Sequence, residues 1–353
     1  MGIQYYREME RYGFPARLRR ELADLLERHN HEPSNGRRTG KPVSFKTEYR
    51  RFVNLCAALS DLRDAGFRKE SVAGIRERDV YTLVGYWKGR GESVGTIDNK
   101  LSYLRTLAGW MGKGGMIGES KKYFADPGEY KRKTIAEEDK TWSGNGVDVF
   151  EVLERVGREN KVIAMQMELQ VAFGMRVEES FLYQPVRGLQ EALDRAAIHL
   201  SRGTKGGRGR DVGLEDVVQL DVLERAAALA VSKDGSMIPR EYSLEQWRNR
   251  YYYVMRKLGV QREGGMEVTS HGLRHEYLNG VFERITGKPS PVKGGGGYDR
   301  EVTEMAMRVV VERAGHWSKH KSQAYLGGVM RALSEEKRKG RIAVIVGSES
   351  GTE

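Results

Sequence analysis

Five short motifs in the second half of the chain carry the basic, imidazole and phenol groups that phosphate chemistry uses. Taken singly, each motif has an ordinary interpretation. Arg176 is typical of a surface ion pair, the glycines beside Lys205 are typical of a mobile turn, and Tyr325 is one of 17 tyrosines. Only their joint presence predicts a site. The motifs are GMRVEES at 174–180, TKGGRGRD at 204–211, SHGLRHEY at 270–277, AGHW at 314–317 and QAYLG at 323–327.

The order and local spacing of these motifs resemble those of the tyrosine recombinase, or phage integrase, family. The resemblance covers roughly residues 147–330, and the helical segment before it is similar to the family's core-binding domain. Tyr325 follows His316 by nine positions, as the family pattern requires. Position by position, the resemblance implies a supporting acid and six catalytic residues. They are Glu179, with Arg176, Lys205, His271, Arg274, His316 and Tyr325.

The two arginines have a clear chemical purpose in such a site. Attack on a phosphodiester builds negative charge on its nonbridging oxygens, and a planar guanidinium holds two of these oxygens in a fork. Arg176 and Arg274 are therefore expected to form a clamp that replaces the metal ions of other phosphoryl-transfer enzymes. We expect no metal and no cofactor.

The resemblance also implies how the strand is broken. Tyr325 would attack in line and form a 3′-phosphotyrosine, while Lys205 protonates the leaving 5′-oxygen and His316 hydrogen-bonds the phosphate. A nucleotide-binding loop is disfavoured, because the glycines around Lys205 do not match the pattern G-x-x-x-x-G-K-[ST].

The third motif predicts a helix with two site residues on one face. His271 and Arg274 lie three positions apart, and Thr269 or Ser270 would cap the helix that carries them. His271 and His275 could suggest zinc, but the metalloprotease pattern requires glutamate directly after the first histidine, and glycine stands there. A zinc site is therefore disfavoured.

The charge balance favours a polyanionic partner. Lysine and arginine number 60 against 49 acidic residues, which gives a formal charge of +11 and a pI near 9.5. Nucleic acid is the leading candidate, and a solvated basic surface is the alternative. The single Cys56 cannot form an intramolecular disulfide and lies in an apolar stripe typical of core packing. With no apolar run as long as a membrane span, we expect a cytoplasmic, nucleoid-associated protein without a membrane partner.

Periodicity and turn residues predict an α+β fold that is mainly α with a small β-sheet or hairpin. Segments at 197–200 and 210–214 flank the glycine-rich turn and predict the hairpin. In the helical domain, Ser44 opens the first helix, and Asp79 and Ser93 are the expected N-caps of the next two. The predicted segments are an N-terminal helical arm and flexible connection at 1–42, a helical core-binding (SAM-like) DNA-binding domain at 43–117, a linker at 118–145, a catalytic domain at 146–341 and a tail at 342–353.

Basic positions outside the six catalytic residues are assigned to DNA contact, with a solvated surface as the alternative. Together with the catalytic domain, the helical domain is expected to form a clamp around the duplex. The assigned residues are Lys46, Arg50, Arg51, Lys100 and Arg105 on outward helical positions, and Arg208 and Arg210 in the hairpin.

Two segments need a separate interpretation. Residues 288–300, KPSPVKGGGGYDR, lengthen the chain between His275 and His316 and are interpreted as a flexible surface insertion. The apolar run IAVIV at 342–346 predicts a strand that either pairs within its own domain or docks on a neighbouring subunit. The resemblance favours docking.

The function that the resemblance implies is site-specific recombination by a homotetramer on two double-stranded DNA sites, through a Holliday junction. Integration or excision of a mobile element and resolution of replicon dimers are the expected uses, with accessory proteins as further candidate partners. Relaxation of supercoils by a monomer is an alternative, because type IB topoisomerases share this chemistry. A non-catalytic DNA-binding regulator is disfavoured, because all six catalytic residues are present.

Overall fold

The computed structural model describes residues 2–33, 42–126, 129–130, 134–230, 232 and 234–335. The chain divides into two compact units, Met1–Arg132 and Lys133–Glu353. The described residues are mainly helical, with one two-stranded antiparallel sheet, which confirms the predicted fold class. Within these ranges, no helix combines the length and the apolar character needed to cross a membrane.

The first unit contains five α-helices in its described residues and one continuous core. Leu22 of the second helix is fully buried in the same core as Phe52 and Cys56 of the third. The prediction of a separate N-terminal arm is therefore wrong, because the leucine stripe of this amphipathic helix is buried against the rest of the unit. The helices are α1 Tyr5–Glu8, α2 Ala16–His29, α3 Phe45–Asp64, α4 Glu77–Gly89 and α5 Val94–Trp110.

Side-chain caps fix where the helices of this unit begin. Ser44 Oγ and Ser93 Oγ each accept a hydrogen bond of 3.3 Å from the backbone N–H three residues on, which confirms both predicted starts. The expectation for α4 is wrong by three residues. Asp79 lies inside the helix and accepts from the backbone N–H of Arg76, which is the N-cap.

Arg51 is buried, so its assignment to an outward DNA-contacting position is wrong. Arg51 lies on α3, directly before Phe52 in the sequence, and is 1% exposed. Its guanidinium donates to Asn30 O at 2.9 Å and to Glu32 O at 3.2 Å. The backbone carbonyls of these two residues, which follow α2, thus accept the hydrogen bonds of a buried guanidinium.

The other four basic residues assigned in this unit lie in different surroundings. Lys46 and Arg50 are exposed on α3. Lys100 forms an ion pair of 2.6 Å with Glu92, and Arg105 donates to the carbonyl of residue 118 and the hydroxyl of residue 120. Their contact with DNA stays a prediction.

Parts of the predicted linker belong to the cores of the two units. Tyr123 and Phe124 are buried in the first unit. Trp142 is fully buried in the second, where its Nε1 donates to Thr269 O at 2.9 Å. The linker prediction is wrong at these positions. Each of these aromatic side chains has a large apolar surface, and its burial in a core is more favourable than its exposure to water.

In the second unit, several helices pack around the buried helix α7, Lys161–Phe173. Met167 of α7 contributes to one cluster of core residues, and Leu169 and Phe173 contribute to another. Most residues of this helix are buried. The helices are α6 Val149–Glu159, α7 Lys161–Phe173, α8 Val177–Leu182, α9 Pro185–Arg195, α10 Val217–Leu229, α11 Leu244–Lys257, α12 Ser270–Thr286, α13 Arg300–Arg313 and α14 Gln323–Leu326.

The predicted hairpin is present between α9 and α10. Strand β1 Ala197–Leu200 pairs antiparallel with β2 Arg210–Gly213, with Ala197 opposite Gly213 and Leu200 opposite Arg210. The glycine-rich turn between the strands carries Lys205. The hairpin prediction is confirmed.

Residues 288–298 pack onto the unit, so the prediction of a flexible surface insertion is wrong for them. Ser290 is fully buried, and Tyr298 is 6% exposed with its ring 5.7 Å from that of Phe282. Tyr298 Oη also donates to Pro289 O at 2.7 Å. Farther along, residues 329–335 are helical, whereas the strand predicted at 342–346 lies outside the described residues.

Candidate active site

The second unit places Tyr325 among cationic and imidazole side chains. Tyr325 lies on α14 and is 6% exposed. Its Oη is 3.4 Å from Arg274 Nε and 3.4 Å from His316 Nε2. Arg274 lies on α12, and His316 lies in the loop after α13, so tertiary packing brings three separate segments together.

Two guanidinium groups meet at one backbone carbonyl beside this tyrosine. Arg274 is fully buried and donates from Nη2 to Ala314 O at 2.6 Å and from Nη1 to Gly174 O. Arg176 donates from Nη2 to the same Ala314 O at 3.0 Å. The Arg176 side chain is 21% exposed, so this cation remains in contact with solvent. The arrangement concentrates positive charge next to the phenol.

A buried carboxylate holds the arginines in place. Glu179 lies on α8 and accepts from the Arg176 backbone N at 2.7 Å and from Arg176 Nη1 at 2.6 Å. Arg210 on β2 donates to both of its oxygens, at 2.8 and 2.7 Å. Burial alone would raise the pKa of Glu179, but hydrogen bonds and charge from Arg210, followed by the charges of Arg274 and Arg176, lower it to about 2. The carboxylate is therefore ionised.

The contact with Glu179 contradicts the assignment of Arg210 to DNA binding. Arg210 is 6% exposed, and both ends of its fork are occupied. It lies two positions before the fully buried Val212, and alternate residues of a strand face the same side. The two-residue spacing of Arg210 from the apolar Val212 was therefore the signal in the sequence that its side chain faces the core.

Three histidines surround the ring of Tyr325. His275 packs with its ring centroid 4.9 Å from that of Tyr325, and His271 is 6.3 Å away. Burial is the main cause that lowers the pKa of His275 to about 3 and the pKa of His316 to about 4. Desolvation, followed by the charges of Arg274 and Arg176, also lowers the pKa of His271 to about 4. Near neutral pH these groups are uncharged imidazoles.

Two residues of this cluster were not assigned from the sequence. His275 is 4% exposed, and Asn279 is 1% exposed and donates from Nδ2 to Tyr325 O at 3.2 Å. Their spacing of four positions from His271 and from each other places all three on one face of α12. This spacing was the available signal, but it does not distinguish site residues from core residues.

Lys205 lies in the turn of the hairpin and is exposed. Its charge contributes to the low pKa of His316, although less than burial and the two arginines do. Within the same turn, the guanidinium carbon of Arg208 lies 3.7 Å from the ring centroid of Trp317, which is 82% exposed and adjacent to His316. The turn that carries Lys205 therefore contacts the segment that carries His316.

Comparison with known proteins supports the resemblance. Residues 143–279 match the family model described as integrase. The Tn1549 transposon integrase, in complex with transposon right end DNA, has a similar structure at 12% identity and a TM-score of 0.55, over 90% of this chain and 98% of that one. A lambda integrase tetramer bound to a Holliday junction is similar at 13% identity and a TM-score of 0.54, over 86% of this chain and 76% of that one. No curated protein sequence matches the chain significantly.

The family match and the structural similarity agree. The matched residues 143–279 include four of the six expected catalytic positions, namely Arg176, Lys205, His271 and Arg274. The two structural relatives share the fold at low sequence identity. On these findings, residues 143–279 match the integrase family model, and the chain has the fold of the two integrases.

Proposed function

We propose that this protein is a site-specific DNA recombinase that cleaves and rejoins strands through a covalent bond to Tyr325. The observation that carries the proposal is the position of Tyr325 Oη, 3.4 Å from both Arg274 Nε and His316 Nε2. A phosphodiester next to this oxygen would lie within reach of both the attacking group and the cations that stabilise its transition state.

The proposed first step transfers a strand from DNA to the protein. Tyr325 Oη attacks the scissile phosphorus, a 3′-phosphotyrosine bond forms, and the bond from phosphorus to the 5′-oxygen breaks. Lys205 supplies the proton that the 5′-oxygen takes up. His316 Nε2, 3.4 Å from the phenol oxygen, is in position to accept the proton that Tyr325 loses and then to hydrogen-bond the phosphate.

Two arginines balance the charge that builds on the phosphate during this step. Arg176 and Arg274 donate to one carbonyl, so both side chains are fixed before DNA arrives. In the second step, a 5′-hydroxyl of another strand attacks the phosphotyrosine, restores a phosphodiester and releases Tyr325. The covalent bond keeps the energy that religation needs.

The test is the substitution Tyr325→Phe, which removes the attacking oxygen and keeps the ring. We expect DNA binding to persist and the covalent protein–DNA adduct on suicide substrates to disappear from a denaturing gel. Tyr253→Phe, at a tyrosine that is 50% exposed on α11, is the matched control and should form the adduct normally. An adduct with Tyr325→Phe would show that the nucleophile is another residue.

We further propose that four copies act on two double-stranded sites and exchange strands through a Holliday junction. The comparison that supports this step is the lambda integrase tetramer bound to such a junction. Integration or excision of a mobile element and resolution of replicon dimers all require this exchange. Junction formation on paired sites separates the proposal from simple relaxation of supercoils.

An apolar groove on the second unit supports the assembly. It encloses about 900 Å³ between α6, α7, α10 and α12, with Phe150 and Val218 exposed at 77% and 63%. Charged side chains also line it, and two of its carboxylates are paired there, Glu168 with Arg225 and Glu215 with Arg284. The apolar run at 342–346 has the character that the apolar lining would accommodate. We propose that the tail of a neighbouring copy occupies this groove.

A further inference from the structure

The helix that carries Tyr325 is too short to hold its own position. α14 has four residues and ends at Gly327, whose φ of 80° and ψ of −155° take the chain out of the helical region. An isolated helix of this length is not stable in water. The place of the phenol oxygen therefore depends on the groups that contact α14.

One of these groups is the amide of Asn279. Its Nδ2 donates to Tyr325 O at 3.2 Å and to His275 O at 2.9 Å. Asn279 is 1% exposed, so water does not replace these bonds. The amide thereby links the backbone of α14 to α12, the helix that also carries Arg274.

A second segment binds the oxygen end of that amide. Ser290 Oγ donates to Asn279 Oδ1 at 2.5 Å, and Ser290 is fully buried. An asparagine amide has one acceptor end and one donor end. Because His275 O and Tyr325 O can only accept, the donor end of Asn279 points toward them, and Ser290 holds the oxygen at the other end.

The same segment also packs against the end of α14. A Cβ on Gly327 would lie 2.9 Å from Val292 N and 3.1 Å from Val292 Cβ, so the two backbones are in close contact. The segment is itself held in place. Gly295 N donates to Ser290 O at 3.0 Å, and Tyr298 Oη donates to Pro289 O at 2.7 Å.

From these contacts we propose that residues 288–298 are a positioning element for Tyr325. The element acts through the chain of bonds from Ser290 to Asn279 to Tyr325 O, and through the contact of Val292 with Gly327. Ser290 and Asn279 touch no reacting atom, so they are positioning residues. The proposal rests on the proposed function, because it assumes that Tyr325 is the nucleophile.

The test is Ser290→Ala, assayed in a single turnover with a saturating suicide DNA substrate. We expect the rate constant of adduct formation to fall roughly tenfold or more, because small displacements of a reacting group are costly. The dissociation constant for DNA should stay within about twofold, since Ser290 is fully buried. The fraction of protein that finally forms the adduct should not change, whereas a purely structural defect would lower this fraction and leave the rate constant intact.

A substrate with sulfur in the bridging 5′ position gives a second readout. Its leaving group needs no proton, so it should restore cleavage to Lys205→Ala, which lacks the proposed acid. It should not restore cleavage to Ser290→Ala, in which the attacking oxygen is misplaced. Restoration in both variants would overturn the positioning proposal.

Thr303→Val is the matched control, because Thr303 is also fully buried and its hydroxyl has no hydrogen-bond partner among the described residues. It should react at the wild-type rate. If Ser290→Ala does not fold, Val292→Ala tests the same element and should also slow the reaction. A wild-type rate in the folded variant, or an equal loss in Thr303→Val, would overturn the proposal. Adduct formation by Tyr325→Phe would instead contradict the proposed function.

Discussion

Glu179 is the residue on which the cations of the site converge. It accepts hydrogen bonds from Arg176 and Arg210, and Arg274 Nη1 lies 3.9 Å from its Oε2. A buried carboxylate with three neighbouring guanidinium groups compensates charges that would otherwise repel one another inside the protein. Its contribution to function is indirect, through the positions of Arg176 and Arg274.

We predict that Glu179→Gln destabilises the protein by about 3–5 kcal/mol at neutral pH, because it leaves buried arginines without a balancing charge. Since the pKa of Glu179 falls from 4.5 to about 2 on folding, its stabilising contribution is present above pH 4.5 and is lost as the pH falls toward 2. Denaturant unfolding at several pH values should show that acid-sensitive component in the wild type and not in Glu179→Gln. Arg208→Gln, at an exposed arginine of the same hairpin, should leave stability nearly unchanged.

At the scale of elements, the hairpin turn depends on glycines for two different reasons. Gly203 and Gly206 both have a φ of 72°, a conformation that L-residues adopt at a cost. A Cβ on Gly203 would also lie 2.6 Å from Glu178 O, whereas a Cβ on Gly206 would meet nothing within 4 Å. Gly203 is therefore constrained by its neighbours as well as by its backbone.

We predict that Gly206→Ala destabilises the protein by about 1–2 kcal/mol and that Gly203→Ala destabilises it by more. Only the second variant pushes on the backbone of α8, next to Glu179. Thermal unfolding of the two variants measures the difference. Equal losses would mean that α8 moves aside freely, and the tight contact at Gly203 would then have no energetic consequence.

At the scale of the whole molecule, recombination requires copies that recognise one another on DNA. Deletion of residues 342–353 should leave single-site DNA binding within about twofold and reduce pairing of two sites and strand exchange at least tenfold, because the apolar run at 342–346 is the proposed occupant of the neighbour's groove. Gel-shift and junction assays measure the two steps separately.

The control for this deletion is removal of residues 349–353 alone, which keeps the apolar run and should behave as the wild type. If the longer deletion instead lowers the unfolding temperature of the isolated monomer, the run belongs to the core of its own unit. That outcome would contradict docking on a neighbouring copy.

Local patterns in the sequence were sufficient for the elements that local interactions determine. Ser44 and Ser93 cap their helices as predicted, the hairpin forms at 197–213, and the leucines of α2 lie in a core. A cap, a tight turn and an apolar stripe each depend on residues within a few positions of one another. The candidate catalytic residues followed from the order and spacing of the motifs.

Only the tertiary structure decided which cations are buried and which loops are packed. Arg210 contacts Glu179 from 31 positions away, and Arg51 contacts Asn30 from 21. Ser290 lies in a turn rich in glycine, yet it supports the helix of Tyr325 through Asn279. A buried polar side chain is stable only where distant segments supply its partners. Motif spacing in the sequence identifies a candidate side chain, but only the folded structure shows whether a hydrogen-bonding or ion-pairing partner lies close enough to hold it.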